Sequence, residues 1–338
     1  MTIFSSRRLL IECWSTVLAG IVWLGIAPAQ AQSDTSNVHI QPRVPVSRGN
    51  SAEDREPNTH TPLIRKNVEL VLVPVTITDA MDRVVLGLGR SNFKVFEGKQ
   101  PQEIKHFSSE DAPVSLGVVL DVSGSMVSKI ERAREAVVEL LKASNPQDEF
   151  FVIMFSDTPQ LVQDFTQKIE EAQAQLLFAR PKGQTALLDA IYLGINKMKE
   201  AKYHRKALLV ISDGGDNHSR YTENEVKSVV KEADVLIYSV GIFDHESHTI
   251  EERLGPLLLS EISDVTGGRT YTLDNPNDLP LITQRIGVEL RNQYVLGYRP
   301  TAIDDGKWRK IKVNLTYLPK GLPPLHVRAK SGYYAPSR

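Results

Sequence analysis

Val114-Ser115-Leu116-Gly117-Val118-Val119-Leu120-Asp121-Val122-Ser123-Gly124-Ser125 joins an uncharged apolar run to a polar turn, and the rest of the chain can be read outward from it. Seven residues rich in valine and leucine, with no charge among them, have the pattern of a fully buried strand. Asp121, Ser123 and Ser125 follow at i, i+2 and i+4, at the strand's carboxyl end. One carboxylate and two hydroxyls in a tight turn form a hard-oxygen cluster of low charge. Such a cluster suits Mg²⁺, which prefers octahedral oxygen, keeps several waters and often takes only one or two protein carboxylates.

Downstream, strands alternate with amphipathic helices. The periodicity predicts strands over residues 114–120, 150–155, 161–165, 207–211, 235–242 and 270–273. Helices are expected over 129–143, 168–178, 187–200, 223–233, 257–266 and 279–290. This alternation predicts an α/β domain, a doubly wound and mainly parallel sheet covered on both faces with right-handed crossovers. Ligand crevices in such sheets open beyond the carboxyl ends of the strands, where strand order reverses.

The sequence loads that edge with oxygen. Besides Asp121, Ser123 and Ser125, it places Thr185 in Gly183-Gln184-Thr185-Ala186-Leu187 just before a helix, and Asp213 in Ser212-Asp213-Gly214-Gly215-Asp216-Asn217 just after a strand. Singly, each has an ordinary explanation as a helix cap or a turn residue. Together, three separate loops offer hydroxyl or carboxylate oxygens at one edge.

These three loops resemble those of the von Willebrand factor A domain family, whose metal-ion-dependent adhesion site (MIDAS) combines DxSxS with a distant threonine and a distant aspartate. The resemblance covers roughly residues 113–291, and with its flanks the mature chain is similar to bacterial secreted proteins of this kind. It implies that Ser123, Ser125 and Thr185 offer hydroxyls to the cation, and that Asp121 and Asp213 bind it directly or through water. It implies also an open coordination position for an Asp or Glu carboxylate of a protein ligand. Mg²⁺ is the expected ion, and an all-oxygen site accommodates Mn²⁺ or Ca²⁺ as well.

The expected role is therefore an adhesion or scaffold module rather than an enzyme. An envelope-complex sensor or assembly factor using the same site is a second reading. A metal-dependent hydrolase is a third, but the second acid of phosphoryl-transfer aspartates, a phosphate-cradling loop and a GxSxG elbow are all missing from the sequence. Asp244, His245 and His248 read as a solvated loop more readily than as a second metal cluster. Asp216 and Asn217 read as loop hydrogen-bonding residues or as groups that orient a metal-bound water.

The flanks, residues 67–112 and 292–338, read as short strands separated by turns. Those of the first flank are expected over residues 68–78, 83–88, 93–97 and 104–107, with Pro74 at an edge or bulge. Each half is too small to fold alone, so the two are expected to form one β-sandwich into which the A-type domain is inserted. The last helix returns to the edge where residue 114 enters, with Arg291-Asn292-Gln293-Tyr294 at the junction. The sandwich is then expected opposite the metal crevice.

Residues 1–31 carry Arg7 and Arg8, a mostly apolar stretch and Ala29-Gln30-Ala31, the features of a secretory signal peptide; retention as an anchor is the alternative. Residues 32–66 read as a flexible linker. The expected destination is periplasmic, cell-surface or secreted, without membrane insertion after cleavage. Cys13 is the only cysteine, so the mature chain has no disulfide. A formal charge of -1 over 338 residues excludes a global basic field for nucleic acid, and 41% hydrophobic residues exclude disorder throughout.

Overall fold

The computed structural model describes residues 70–213, 215–243, 250–300, 305–317 and 324–337. The expected signal peptide, the linker and the His245–His248 loop lie outside them. Chain order begins with four strands, β1 (Val71–Asp79), β2 (Phe93–Glu97), β3 (Gln100–Gln102) and β4 (Ile104–Ser108). The inserted domain follows with β5 (Val114–Asp121), α1 (Ile130–Lys142), β6 (Glu149–Phe155), β7 (Pro159–Thr166), α2 (Ile169–Leu176) and α3 (Leu187–Lys197). It continues through β8 (Arg205–Ser212), α4 (Glu223–Glu232), β9 (Leu236–Ile242), α5 (Ile250–Thr266), β10 (Arg269–Leu273) and α6 (Leu279–Arg291). The chain then returns to β11 (Tyr294–Tyr298), β12 (Trp308–Leu315), β13 (Leu325–Ala329) and β14 (Gly332–Tyr334).

The insert is a six-stranded sheet of order β10-β9-β8-β5-β6-β7, parallel throughout except for β7. Every residue of β5 is buried, as its uncharged run requires. Val114, Leu116, Val118 and Leu120 pack on one face with α1, α2 and α6, while Val119 packs on the other with α3, α4 and α5. Sequence order runs outward from β5 to β6 on one side and to β8 on the other. The topological switch point therefore lies between β5 and β8, where the loops carrying Asp121 and Asp213 emerge.

Close packing at the centre leaves Gly117 no room for a side chain. A Cβ there would lie 2.4 Å from the Phe151 ring and 2.6 Å from Leu208 Cδ1. Gly117→Val is expected to destabilise the insert by roughly 2–4 kcal/mol through overpacking. Urea unfolding would check it, and a midpoint equal to wild type would contradict it.

The flanks form two four-stranded antiparallel sheets, β13-β1-β11-β4 and β14-β12-β2-β3, each containing strands from both ends of the chain. Val73, Val75, Ile77, Val95, Leu296, Tyr298, Ile311 and Val313 share one core between them, which makes the pair a sandwich. β1 is interior in its sheet, yet Pro74 faces only Val295 of β11, because the ladder with β13 begins at Val75. The missing N–H of proline is thus placed where no second strand needs it.

Several elements differ from expectation. Residues 83–88 are not a strand, and only Val84 makes an isolated bridge, to Thr78. Asp79 closes a tight turn by accepting from the Met81 and Arg83 amides, and Leu88 N–H donates to the Tyr294 hydroxyl instead of to a ladder. β3 and β14 are additional strands, short and at sheet edges, where Pro101 of β3 is tolerated. The helix expected from residue 257 begins at Ile250 and runs through Pro256, although proline removes one helical donor and its ring crowds the carbonyl four residues before it.

The sandwich meets the insert at the amino edge of the parallel sheet. Arg205, at the start of β8, donates to the carbonyls of Ala112 and Gln293, which lie just outside the entry and exit of the insert. Asp234 pairs with Lys330 at 2.9 Å, Arg269 with Asp82 at 2.7 Å and Arg291 with Asp111 at 2.8 Å. Gly267, at φ +86°, abuts the Ala329 and Lys330 backbone, so a Cβ there would lie 2.5 Å from it. Among the described residues, these contacts lie away from the carboxyl edge.

Candidate metal site at the switch point

Three loops are tied together at that carboxyl edge by their own backbones. Gly124 N–H donates to Gly183 O at 3.0 Å and Lys182 N–H to Val122 O at 2.9 Å, which joins the first loop to the second. Thr185 N–H donates to Asn217 Oδ1 at 2.8 Å, and Asn217 N–H returns to Thr185 O at 3.0 Å, which joins the second to the third. Gly183 makes the first junction possible. Its φ is +83°, and a Cβ would lie 2.7 Å from the Asp157 carboxylate, which accepts from Gln184 N–H.

Within this knot the side chains form a chain of oxygens. Ser123 Oγ lies 3.0 Å from Ser125 Oγ, and Ser125 Oγ donates to Asp213 Oδ1 at 2.7 Å. Asp121 Oδ1 accepts from Ser123 N–H at 2.8 Å, and Asp121 Oδ2 accepts from Ser212 Oγ at 2.6 Å. Asp121, Ser123, Thr185 and Asp213 are all buried, and Ser125 is the exposed member. Thr185 is held in the same knot through its backbone.

The ordinary capping roles are occupied by other residues. Ser123 stands at the cap of the short turn Gly124–Ser128, yet its hydroxyl caps nothing. The cap of α3 is Ala186, and the Leu188 N–H is taken by Asp216 Oδ1 at 3.1 Å. Asp216 is thus a helix-capping residue, and Asn217 is the clamp on Thr185. Neither Ser123 nor Thr185 supplies a side-chain cap to the helix that follows its loop.

This donor set fits a small hard cation. Adjacent oxygens in an octahedron with bonds of about 2.1 Å lie about 3 Å apart, which the Ser123–Ser125 and Ser125–Asp213 spacings of 3.0 and 2.7 Å approach. Only two of the five groups carry charge, and one is deeply desolvated. Burial, and then the neighbouring Asp213 charge, push the Asp121 carboxyl up to about 6, against partial relief from its bonds to Ser123 and Ser212.

An acid whose folded pKa lies above its ordinary 3.8 contributes stability that is complete below that value and lost as pH rises through about 6. A bound cation needs the ionised form. If Mg²⁺ binds through Asp121, the rise in melting temperature it gives is expected to be full at pH 7.5 and to shrink below pH 6. A rise of equal size at pH 5 would contradict this.

Lys129 was not anticipated from the sequence. Its ammonium lies 2.7 Å from Asp213 Oδ2 and donates also to Ile242 O at 3.4 Å, at the end of β9. Ser212 is a second such residue, a buried hydroxyl that orients Asp121. Neither occupies a position in the DxSxS pattern, and only the convergence of β5, β8 and β9 reveals them.

Comparison with known proteins matches the part of the chain that holds these loops. The sequence profile of the von Willebrand factor type A domain matches residues 116–215. The chain is 23% identical over 158 residues to inter-alpha-trypsin inhibitor heavy chain H3 of Homo sapiens, an alignment covering 42% of this chain and 18% of that one. It is 22% identical over 188 residues to an uncharacterized protein of Borreliella burgdorferi, covering 48% and 55% respectively. This chain thus spans under a fifth of the heavy chain's length and about half of the bacterial protein's. A von Willebrand factor type A structure from Catenulispora acidiphila superposes with a TM-score of 0.47 at 11% identity, over 80% of this chain and 74% of that one. The matched profile and the doubly wound sheet place a von Willebrand factor type A domain in this chain, over residues 116–215.

Proposed function

We propose that the chain is an exported, divalent-cation-dependent protein-binding module whose bound ion captures an acidic side chain of its partner. The observation that carries this reading is the run Ser123 Oγ, Ser125 Oγ and Asp213 Oδ1 at contact spacings of 3.0 and 2.7 Å, at the switch point and away from any capping duty. Asp121, Ser123, Ser125, Thr185 and Asp213 would hold the ion. When bound, it supplies a Lewis-acidic position for a carboxylate oxygen.

The residues of the chain do the rest. Neutral hydroxyls leave the ion's charge less compensated than a carboxylate cage would, so an incoming Asp or Glu is attracted strongly once water is displaced. The Gly124–Gly183 and Thr185–Asn217 bonds fix the spacing of the donors before any ion arrives, which limits the ordering cost of binding. Among the described residues, the sandwich contacts the insert at the opposite edge. Export rests on the features of residues 1–31. Among the described residues no helix is long and apolar enough to cross a membrane.

Capture from an envelope extract tests the reading. Partner protein is expected on the immobilised wild type in Mg²⁺, to be released by chelator, and to be absent from Thr185→Ala in both conditions. Capture that ignores chelator and substitution alike would overturn it.

A further inference from the structure

Lys129 occupies an electrostatically poor position. It is the residue at the amino-terminal cap of α1, with no side-chain capping bond, where the helix presents its positive end. A cation there is disfavoured by the helix, yet its side chain is mostly buried, 18% exposed, against an Asp213 carboxylate that is fully buried. The two oxygens of Asp213 are divided. Oδ1 accepts from Ser125 at 2.7 Å, on the side of the proposed ion, and Oδ2 accepts from Lys129 at 2.7 Å, on the other.

Resting on the metal reading above, we propose that Lys129 is a tethered counter-ion that shares Asp213 with the divalent cation, weakening the cation's hold and raising its demand for a carboxylate from the partner. With both carboxylates ionised and Lys129 charged, the site has a net charge of about -1 before the ion and about +1 after it. Without the ammonium those values are about -2 and about 0. Lys129 thus shifts the site from retaining its ion to presenting it. It does so without occupying the ion's position, because it binds the far oxygen. The lysine is a specificity-determining neighbour of the site, not an ion ligand.

A counter-ion and a mere support for Asp213 predict opposite signs. If Lys129 only held Asp213 in place, its removal would loosen a donor and weaken Mg²⁺ binding. If it competes for charge, removal strengthens binding. Calorimetric titration of the full chain with Mg²⁺ alone is expected to give about tenfold or more tighter binding for Lys129→Gln, and for Lys129→Met, with Lys129→Arg close to wild type. Removing one partner of a buried pair also strands a charge, so the metal-free Lys129→Gln protein should melt below wild type while its Mg²⁺-induced rise is larger. The melting comparison also shows that each variant is folded before titration.

Mg²⁺ affinity of Lys129→Gln equal to or weaker than wild type, with wild type binding normally, would overturn the counter-ion role and leave the metal site standing. A wild type that binds neither Mg²⁺ nor Mn²⁺ would overturn both.

Discussion

Asp121→Asn is expected to abolish Mg²⁺ binding while leaving the cation-free protein as stable as wild type or more so. The two effects have one origin. Asp121 is fully buried, and its ionised form is disfavoured by burial and by Asp213, which raises its pKa to about 6. An asparagine has nearly the same shape and no charge. Its oxygen can still accept from Ser123 N–H, and the Ser212 hydroxyl can turn from donor to acceptor to meet the new amide, so neither partner is stranded. Removing the ionised group from its buried position relieves the cation-free state at neutral pH and deprives a divalent ion of its most buried carboxylate. For wild type, Mg²⁺ at about 100 times its Kd should raise the melting temperature by roughly 5–10 °C. That rise is expected to vanish in Asp121→Asn. Retention of the rise, or a cation-free variant melting far below wild type, would contradict the account.

Removing every residue after 291 is expected to strip the first flank of its structure and leave the insert folded. β1 pairs with β11 over Val71–Val75 and with β13 over Val75–Asp79, so the truncation removes both its partners. β2 likewise loses β12, and Val73, Val75, Ile77 and Val95 lose the facing side chains of their shared core. The two apolar clusters of the insert draw only on residues between Val114 and Leu290. Hydrogen exchange should show protection in β1 falling by about 5 kcal/mol or more, to the level of an unfolded segment, with β5 and β8 still protected. Persistent protection of β1 would mean that the N-terminal flank folds without its partner.

Much of this organisation was legible because it rests on periodicity and turn chemistry. The uncharged run ending at Asp121 has the pattern of a buried strand, and the alternation after it has that of helices covering a parallel sheet. Pro74 reads as an edge or bulge, but β1 is interior and regular there, and the proline is tolerated because the β13 ladder begins only at Val75. Features set by tertiary context were not legible. Residues 83–88 have the composition of a strand, but the Asp79 turn and the Tyr294 hydroxyl take the donors that a ladder would need. β3 and β14 are too short and too mixed in character to show a period.

The same division holds at the site. Asp121, Ser123 and Ser125 follow a spacing within one loop, whereas Thr185 and Asp213 join them through the family resemblance. Lys129 and Ser212 act through strands and helices far apart in the chain, and each looks alone like an ordinary helix-start lysine or strand-end serine. Asp216 and Asn217 were visible as polar loop residues, but only the fold separates the helix cap from the clamp on Thr185.

The central claim is that these five side chains surround one ion. Crystals of the full chain soaked in Mn²⁺ and measured at the manganese absorption edge test it most directly. The account predicts a single strong anomalous peak within about 2.3 Å of the Ser123 and Ser125 hydroxyl oxygens, with Thr185, Asp121 and Asp213 in direct or water-bridged contact. A peak at another place on the molecule, or none between the Asp121, Thr185 and Asp213 loops at saturating Mn²⁺, would contradict it.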